Sequence, residues 1–405
     1  MNLDVPIEFV QAIELDPYPR LERYSDRIER YYSDVCSKLY PSLSKTLVND
    51  PRAKDLVECM ISEGSFSTQF EIDRLPKWFL WRVKNVGLDE ATTNLNYFLD
   101  SKEIETNVFS WVFGVRVDRT YSFSNDISLI PIKEMPDSDE KEDFLYPDMR
   151  SRYGMCPPQA ALVRSVMIDK VVDENSFPNT KIADAVNAIN DTSLILNCLG
   201  EIYCVSSIYK TKCPLKIPFG PFGGDSSSIN LPEIMPQKYS SIENLAVKDV
   251  DKLLCNFRML DGDVKSVIAT IVRRFSQLKW RSSVDDKFLD LGICLEMLLL
   301  NNVNNQERPD QLSLTFRLRG SWLLAETADD RLEIYNTLKK VYNLRSEIAH
   351  NGYAKSLQNK NPSDVEELML SSINIAEQIL QNIINNGFPK SWDELILGKI
   401  DNEER

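Results

Sequence analysis

Asp329 to Gly352 reads DDRLEIYNTLKKVYNLRSEIAHNG, and this stretch decides how the second half of the chain folds. Wound at about 100° per residue, it gathers Ile334, Leu338, Val341, Leu344 and Ile348 on one face, with Tyr335, Tyr342 and Ala349 along the edge. The pattern predicts an amphipathic helix over 329–350. Asp329 or Asp330 suits its N-cap, and Asn351-Gly352 marks its end. Two residues break the pattern. Arg345 falls inside the apolar face, where a guanidinium stays charged and needs a partner or water. Five positions later stands His350, the only histidine among 405 residues.

The same periodicity continues on both sides. Helices are expected near 247–260, 263–279, 285–300, 311–325 and 363–386, the last with Ser363 and Glu366 as a capping box. Residues 241–405 therefore read as an all-α helical bundle. Within it, LDLGICLEMLLL is almost uniformly apolar yet carries Glu296. An Arg345–Glu296 ion pair that fixes helix register is the plain structural reading of both charges. His350 lies about 140° around the helix from Arg345. At the last turn it can bend out of register toward the long arginine side chain, or it merely caps carbonyls at the helix end.

Residues 1–240 have a different texture. LERYSDRIERYYSDVCSKLY has helical character, whereas NVFSWVFGVRVDRTYSF and DISLIPIKEM carry the aromatic and β-branched residues of strands. ALVRSVMIDKVV reads as another strand, TKIADAVNAINDTSLILNCLG as a helix closing on Gly200, and EIYCVSSIYK as a strand. An α+β domain is expected here, ending near residue 240. CPLKIPFGPFGGDSSSINLPEIMPQKYSS is read as the connecting loop, since no Lys-Ser/Thr follows its glycines as a nucleotide-binding P-loop requires.

Composition narrows the chemistry. The net charge is −14, of which −4 falls on residues 241–405 and −10 on residues 1–240. Extensive coating of nucleic acid is thus disfavoured, and any contact with it belongs to the C-terminal part. The eight cysteines form no C-x-x-C pair, and a single histidine cannot serve an H-E-x-x-H site. No metal and no cofactor is expected. No run approaches about 20 apolar residues, and the start, MNLDVPIEFV, lacks the features of a secretory signal. A cytoplasmic protein with reduced thiols and no membrane partner is the expectation.

RSEIAH resembles the R-x(4–6)-H signature of the HEPN domains. The surroundings are more specific. DDKFLDLGICLEMLLL followed by LSLTFRLRGSWLLAETADDRLEIYNTLKKVYNLRSEIAHNG is similar to the Apea-like HEPN family in order and spacing, over roughly residues 250–390. Many HEPN members carry Asn, Asp or His after the arginine, where Ser346 stands here.

The resemblance implies an HEPN helical bundle acting as a metal-independent endoribonuclease, with Arg345 and His350 as catalytic residues. RNA supplies its own nucleophile, the 2′-hydroxyl. A histidine suits proton transfer near neutral pH, and an arginine suits charge on the phosphorane. Glu296, Ser346 and Asn351 are supporting candidates. Because one histidine does not readily serve as both base and acid, a homodimer through the helical domain is expected, with two motifs lining one cleft. Arg273, Arg274, Arg317 and Arg319 are candidate RNA contacts, joined by Lys279 and Arg281 in the same helices. A short unstacked RNA loop such as a tRNA anticodon fits so local a patch. The implied setting is a prokaryotic antiphage defence or toxin system, with residues 1–240 sensing a phage or cellular trigger. The alternative is a non-catalytic HEPN module that binds RNA, a nucleotide or a protein partner.

Overall fold

The structure, a computed structural model, describes residues 41–65, 67–136, 138, 141, 144–145, 156–172, 180–218, 226–229, 239–301 and 309–398. The helical character expected at 21–40 and most of the glycine-rich connection after Cys213 lie outside the described residues. The chain is an α+β protein with a helical part. It divides into two compact units, Met1–Asn190 with Val205–Glu233, and Asp191–Cys204 with Ile234–Arg405. Sequence placed the whole of 1–240 in the first domain. The segment Asp191–Cys204 instead belongs to the second unit.

Among the described residues the first unit begins with helices α1 (Pro41–Val48) and α2 (Pro51–Lys54) and a small hairpin, β1 (Met60–Ser62) with β2 (Ser67–Gln69). Two helices follow, α3 (Arg74–Val86) and α4 (Leu88–Asp100). Gly87, at φ 86°, closes one and opens the other, donating its N–H to Val83 O at 2.8 Å. That left-handed conformation suits glycine best. The remaining strands are β3 (Glu103–Phe113), β4 (Val115–Val117), β5 (Tyr121–Ser122), β6 (Ile127–Pro131), β7 (Ala160–Asp169), β8 (Val205–Lys212) and β9 (Ser226–Ile229). Six of them form one antiparallel sheet in the order β5-β6-β7-β3-β8-β9.

Long β3 lies inside that sheet. Its first half alternates in burial, while Val108 to Phe113 are all buried, so both faces are covered there. Trp111 packs edge-on against Phe109 and Phe144, with Ile132, Met135 and Ala161 completing the cluster. Lys170 is buried with its ammonium on the carbonyls of Phe98 and Leu99, at 2.7 and 3.1 Å. It satisfies the last turn of α4, where positive charge is favoured.

Helix α5 (Thr180–Leu196) begins in the first unit and ends in the second. It stops four residues before Gly200, earlier than the sequence pattern suggested. The second unit then runs through α6 (Val247–Met259), α7 (Gly262–Leu278), α8 (Val284–Leu299), α9 (Pro309–Leu324), α10 (Ala328–Asn351), α11 (Pro362–Asn386) and α12 (Trp392–Leu397). Six of these follow the expected spans closely. Helix α8 is the hub: Phe288, Leu291, Cys294, Leu295, Leu298 and Leu299 are buried, and α7, α9, α10 and α11 all pack on it. A helix apolar on nearly every side is stable only when enclosed in this way.

Two expected caps are corrected. Thr327, not Asp329 or Asp330, caps α10; its hydroxyl oxygen accepts the Asp330 N–H at 3.2 Å and donates to the Asp330 carboxylate at 2.6 Å. Helix α11 starts from Asn361 with Pro362 in its first turn, and no Ser363–Glu366 box forms. Proline's fixed φ already suits a first turn, and it lacks the N–H that a cap would satisfy.

The Asp191–Cys204 segment is tied into the second unit by a buried lysine. Lys279 Nζ donates to the carbonyls of Asn197 at 3.0 Å, Gly200, and Ile202 at 3.3 Å, and pairs with Glu377 at 3.1 Å. Gln381 adds a bond to the Cys198 carbonyl at 2.7 Å. Desolvation lowers the Lys279 pKa and raises that of Glu377. Burial works against both charges, and their mutual attraction and the carbonyl dipoles oppose it.

Candidate functional site

Helix α10 carries Arg345, Ser346, His350 and Asn351, and its buried face consists of Thr337, Leu338, Val341, Leu344 and Ile348. Arg345 emerges beside that face, over α8. Its stem rests on Gly292: a Cβ placed there would stand 2.4 Å from Arg345 Cγ and 2.5 Å from Arg345 Cβ. Only a residue without a side chain lets the two helices approach so closely at this point.

One turn further along α8, Glu296 Oε2 accepts a hydrogen bond from Arg345 Nη2 at 2.7 Å. The Arg345–Glu296 pairing expected from the two misplaced charges is thus present. The side chains are 31% and 21% exposed, which places the pair between a surface bridge and a buried one. Its worth accordingly lies between the about 0–1 kcal/mol of exposed pairs and the about 3–5 kcal/mol lost when one partner of a buried pair is removed. Burial raises the Glu296 carboxyl, and the guanidinium offsets this only in part. Arg345 Nε is buried and has no acceptor among the described residues. The guanidinium is therefore anchored on one side and unsatisfied on another.

His350 is exposed on the last turn and makes no hydrogen bond or ion pair among the described residues. The bend that would have carried it toward Arg345 is not found. Helix α10 stays regular to Asn351, and Gly352, at φ 82°, closes it with an N–H donated to Ile348 O at 2.7 Å. The five-residue step therefore keeps its full turn of about 140° and a rise of about 7.5 Å. Ser346 is half-buried and Asn351 exposed, each without a side-chain hydrogen bond among the described residues.

The connection after His350 is pinned from two sides by residues that sequence reasoning passed over. Glu347 accepts from the Ser356 hydroxyl at 2.6 Å and from its N–H at 3.2 Å. Asp285, in the first turn of α8, accepts the Ala354 N–H at 3.1 Å. These contacts hold the end of α10 against α8. Spacing gave partial notice of Glu347 alone, since it faces the same turn as His350.

The candidate RNA contacts are mostly engaged within the chain. Arg274 and Arg281 both grip the buried Asp290 carboxylate, at 2.8 and 2.9 Å. Arg317 bonds the Ser313 carbonyl at 2.8 Å and lies over the Tyr335 ring. Arg319 bonds the Leu299 carbonyl at the end of α8 at 2.8 Å and lies over Trp392. Lys279 is consumed by the buried cluster described above. Arg273 is exposed and makes no ion pair among the described residues. A cavity of 940 Å³ in this unit is lined by Tyr203, Lys279, Trp280, Met369 and Glu377 among others, and by neither Arg345 nor His350.

Among the described residues, no group of three or more His, Cys, Asp or Glu is placed to hold a metal ion, and no helix is long and apolar enough to cross a membrane. Compared with protein-family models, with curated proteins and with solved structures, the chain matches none.

Proposed function

We propose that the chain is a metal-independent endoribonuclease of the Apea-like HEPN kind, working as a homodimer through its helical unit. The observation that carries this reading is Arg345 itself. It is a guanidinium held in a helix seam by one carboxylate, 31% exposed, with no second ion-pair partner among the described residues, five residues before the only histidine. A group presented in that way suits an anionic oxygen better than it suits the interior.

In the proposed reaction the 2′-oxygen attacks the adjacent phosphorus and the bond from phosphorus to the 5′-oxygen breaks. One His350 accepts the 2′-proton, and a second protonates the leaving oxygen. Arg345 holds the charge of the phosphorane. Since the regular helix turns His350 away from Arg345 of its own chain, the two-chain arrangement gives each arginine a histidine from the other copy. Ser346 and Asn351, which make no side-chain hydrogen bond among the described residues, are available to the phosphate or the imidazole. RNA, including a tRNA anticodon loop, is the proposed substrate, and residues 1–240 the proposed sensor of a defence effector.

The ion pair favours one second reading. If Arg345 serves Glu296 and nothing else, the helical unit is a non-catalytic module, and its ligand binds elsewhere. Full-length protein incubated with RNA in EDTA separates the two. Fragments ending in 2′,3′-cyclic phosphate and 5′-hydroxyl are expected, and His350→Ala should abolish them. Cleavage that persists in that variant would exclude the mechanism.

A further inference from the structure

Tyr342 stands one helical turn before Arg345, so the two side chains rise as neighbours from one side of α10. Its ring lies against Phe316, which is fully buried in α9, with centroids 5.3 Å apart and planes at 56°. That contact fixes the ring and with it the line along which the hydroxyl projects. The residue is only partly exposed, yet its hydroxyl makes no hydrogen bond among the described residues. Glu296 and Arg345 are both within electrostatic reach of it. Burial, and after it the Glu296 carboxylate, raise the phenol's pKa while the guanidinium opposes them. At neutral pH the group is therefore a protonated donor lacking an acceptor.

Packing alone does not explain it. Phenylalanine would keep the same contact with Phe316, without a hydroxyl that has to be hydrated. The Tyr342 hydroxyl thus sits within one turn of Arg345, whose Nε is buried out of a ligand's reach and whose Nη2 holds Glu296. A hydroxyl placed there, without a hydrogen bond among the described residues, can serve a ligand rich in acceptors.

We infer that the Tyr342 hydroxyl is a second donor to the phosphodiester that Arg345 receives, hydrogen-bonding a non-bridging oxygen of the scissile group. This rests on the nuclease reading of the Arg345 site and adds a residue to it. A neutral O–H suits the task beside Glu296, because it supplies a hydrogen bond without a further charge to be balanced. Arg345 meanwhile keeps its bond to Glu296 through Nη2 and presents the N–H groups of Nη1 to the same phosphate.

The test is Tyr342→Phe in the full chain, read three ways: thermal unfolding, RNA cleavage, and affinity for an uncleavable 2′-O-methyl RNA by fluorescence anisotropy. The unfolding midpoint should stay at the wild-type value. The turnover rate should fall about 10²-fold, as when one oxyanion donor is removed, and the affinity for the methylated RNA about tenfold. Wild-type cleavage rate in the variant overturns the assignment while leaving the nuclease reading intact. If the wild-type chain cuts no RNA but the variant still loses affinity for the methylated RNA, the nuclease reading fails and the donor role stands. A wild-type chain that cuts no RNA, with unchanged affinity for the methylated RNA in the variant, overturns the two together.

Discussion

Replacing Gly292 by alanine adds one methyl group at the crossing of α8 and α10. The new carbon would sit 2.4 Å from Arg345 Cγ and 2.5 Å from Arg345 Cβ, against the about 3.5–4.0 Å at which carbons rest. A rotamer change can remove the first overlap, but not the second, because Cβ moves only with the backbone. Helix α10 must therefore retreat from α8. Overpacking of this sort costs about 1–3 kcal/mol. About 2 kcal/mol lowers the midpoint of a unit of this size by roughly 6 °C. Gly262, in the first turn of α7, is the internal control: a Cβ there meets nothing within 4 Å, and its φ is not in the left-handed range. Gly262→Ala should be neutral or stabilising by up to about 1 kcal/mol. Thermal and urea unfolding of the full chain, followed by circular dichroism, compares them. Equal midpoints for Gly292→Ala and wild type would refute the argument, as would an equal loss in both variants. The displaced arginine should also lose its bond to Glu296, so on the proposed nuclease reading RNA cleavage should fall in Gly292→Ala and hold in Gly262→Ala.

Lys279→Met leaves Glu377 buried without its cation and three carbonyls without a donor, so urea unfolding should show a loss of about 3–5 kcal/mol. Lys279→Met with Glu377→Met should recover part of it; a double variant worse than the sum of the singles would contradict this. Burial pushes the thiols of Cys198 and Cys204 up to about 12, whereas Cys255 is exposed. Alkylation near pH 8 followed by mass spectrometry should therefore label Cys255 well ahead of either, and equal rates would refute the burial. Glu296 titrates above the ordinary carboxylate range in the fold, so its contribution to stability is complete below that range and is lost as pH rises through the raised value. The stability of wild type minus that of Glu296→Gln should decline as pH rises from the ordinary carboxylate range through that raised value. A difference that grows with pH would show that the arginine, not burial, dominates.

Much of the helical unit is legible in the sequence because its signals are local. Six helices follow from apolar spacing, and the Arg345–Glu296 pair follows from two charges set among core positions of different helices. The caps were less legible. An aspartate is as good a cap as a threonine until the backbone decides which residue stands at the boundary, and Thr327 does. Helices α3 and α4 were missed, although Leu75, Trp78, Phe79 and Val83 stand at helical spacing in α3 and Ala91, Leu95, Phe98 and Leu99 in α4. The fates of the basic residues depend on contacts distant in sequence: nothing near Arg274 or Arg281 announces that both will converge on Asp290. Lys279 did leave a trace. It lies four residues after buried Phe275 and seven after buried Val272, on the apolar face of α7. His350 is the harder lesson, since a glycine signal marks where a helix stops and says nothing of whether its last turn stays wound.

The route of the chain carries a practical consequence. Fourteen residues, Asp191–Cys204, leave the polypeptide of the sheet-bearing unit, complete the helical one, and hand the chain back at Val205. A gene truncated to begin near residue 240 would encode every helix from α6 onward and still omit the backbone that Lys279 clasps. Such a fragment would inherit a buried ammonium facing empty space, and poor solubility would say nothing about the intact chain. Joining either unit alone to another protein meets the same obstacle, because neither is a contiguous cassette.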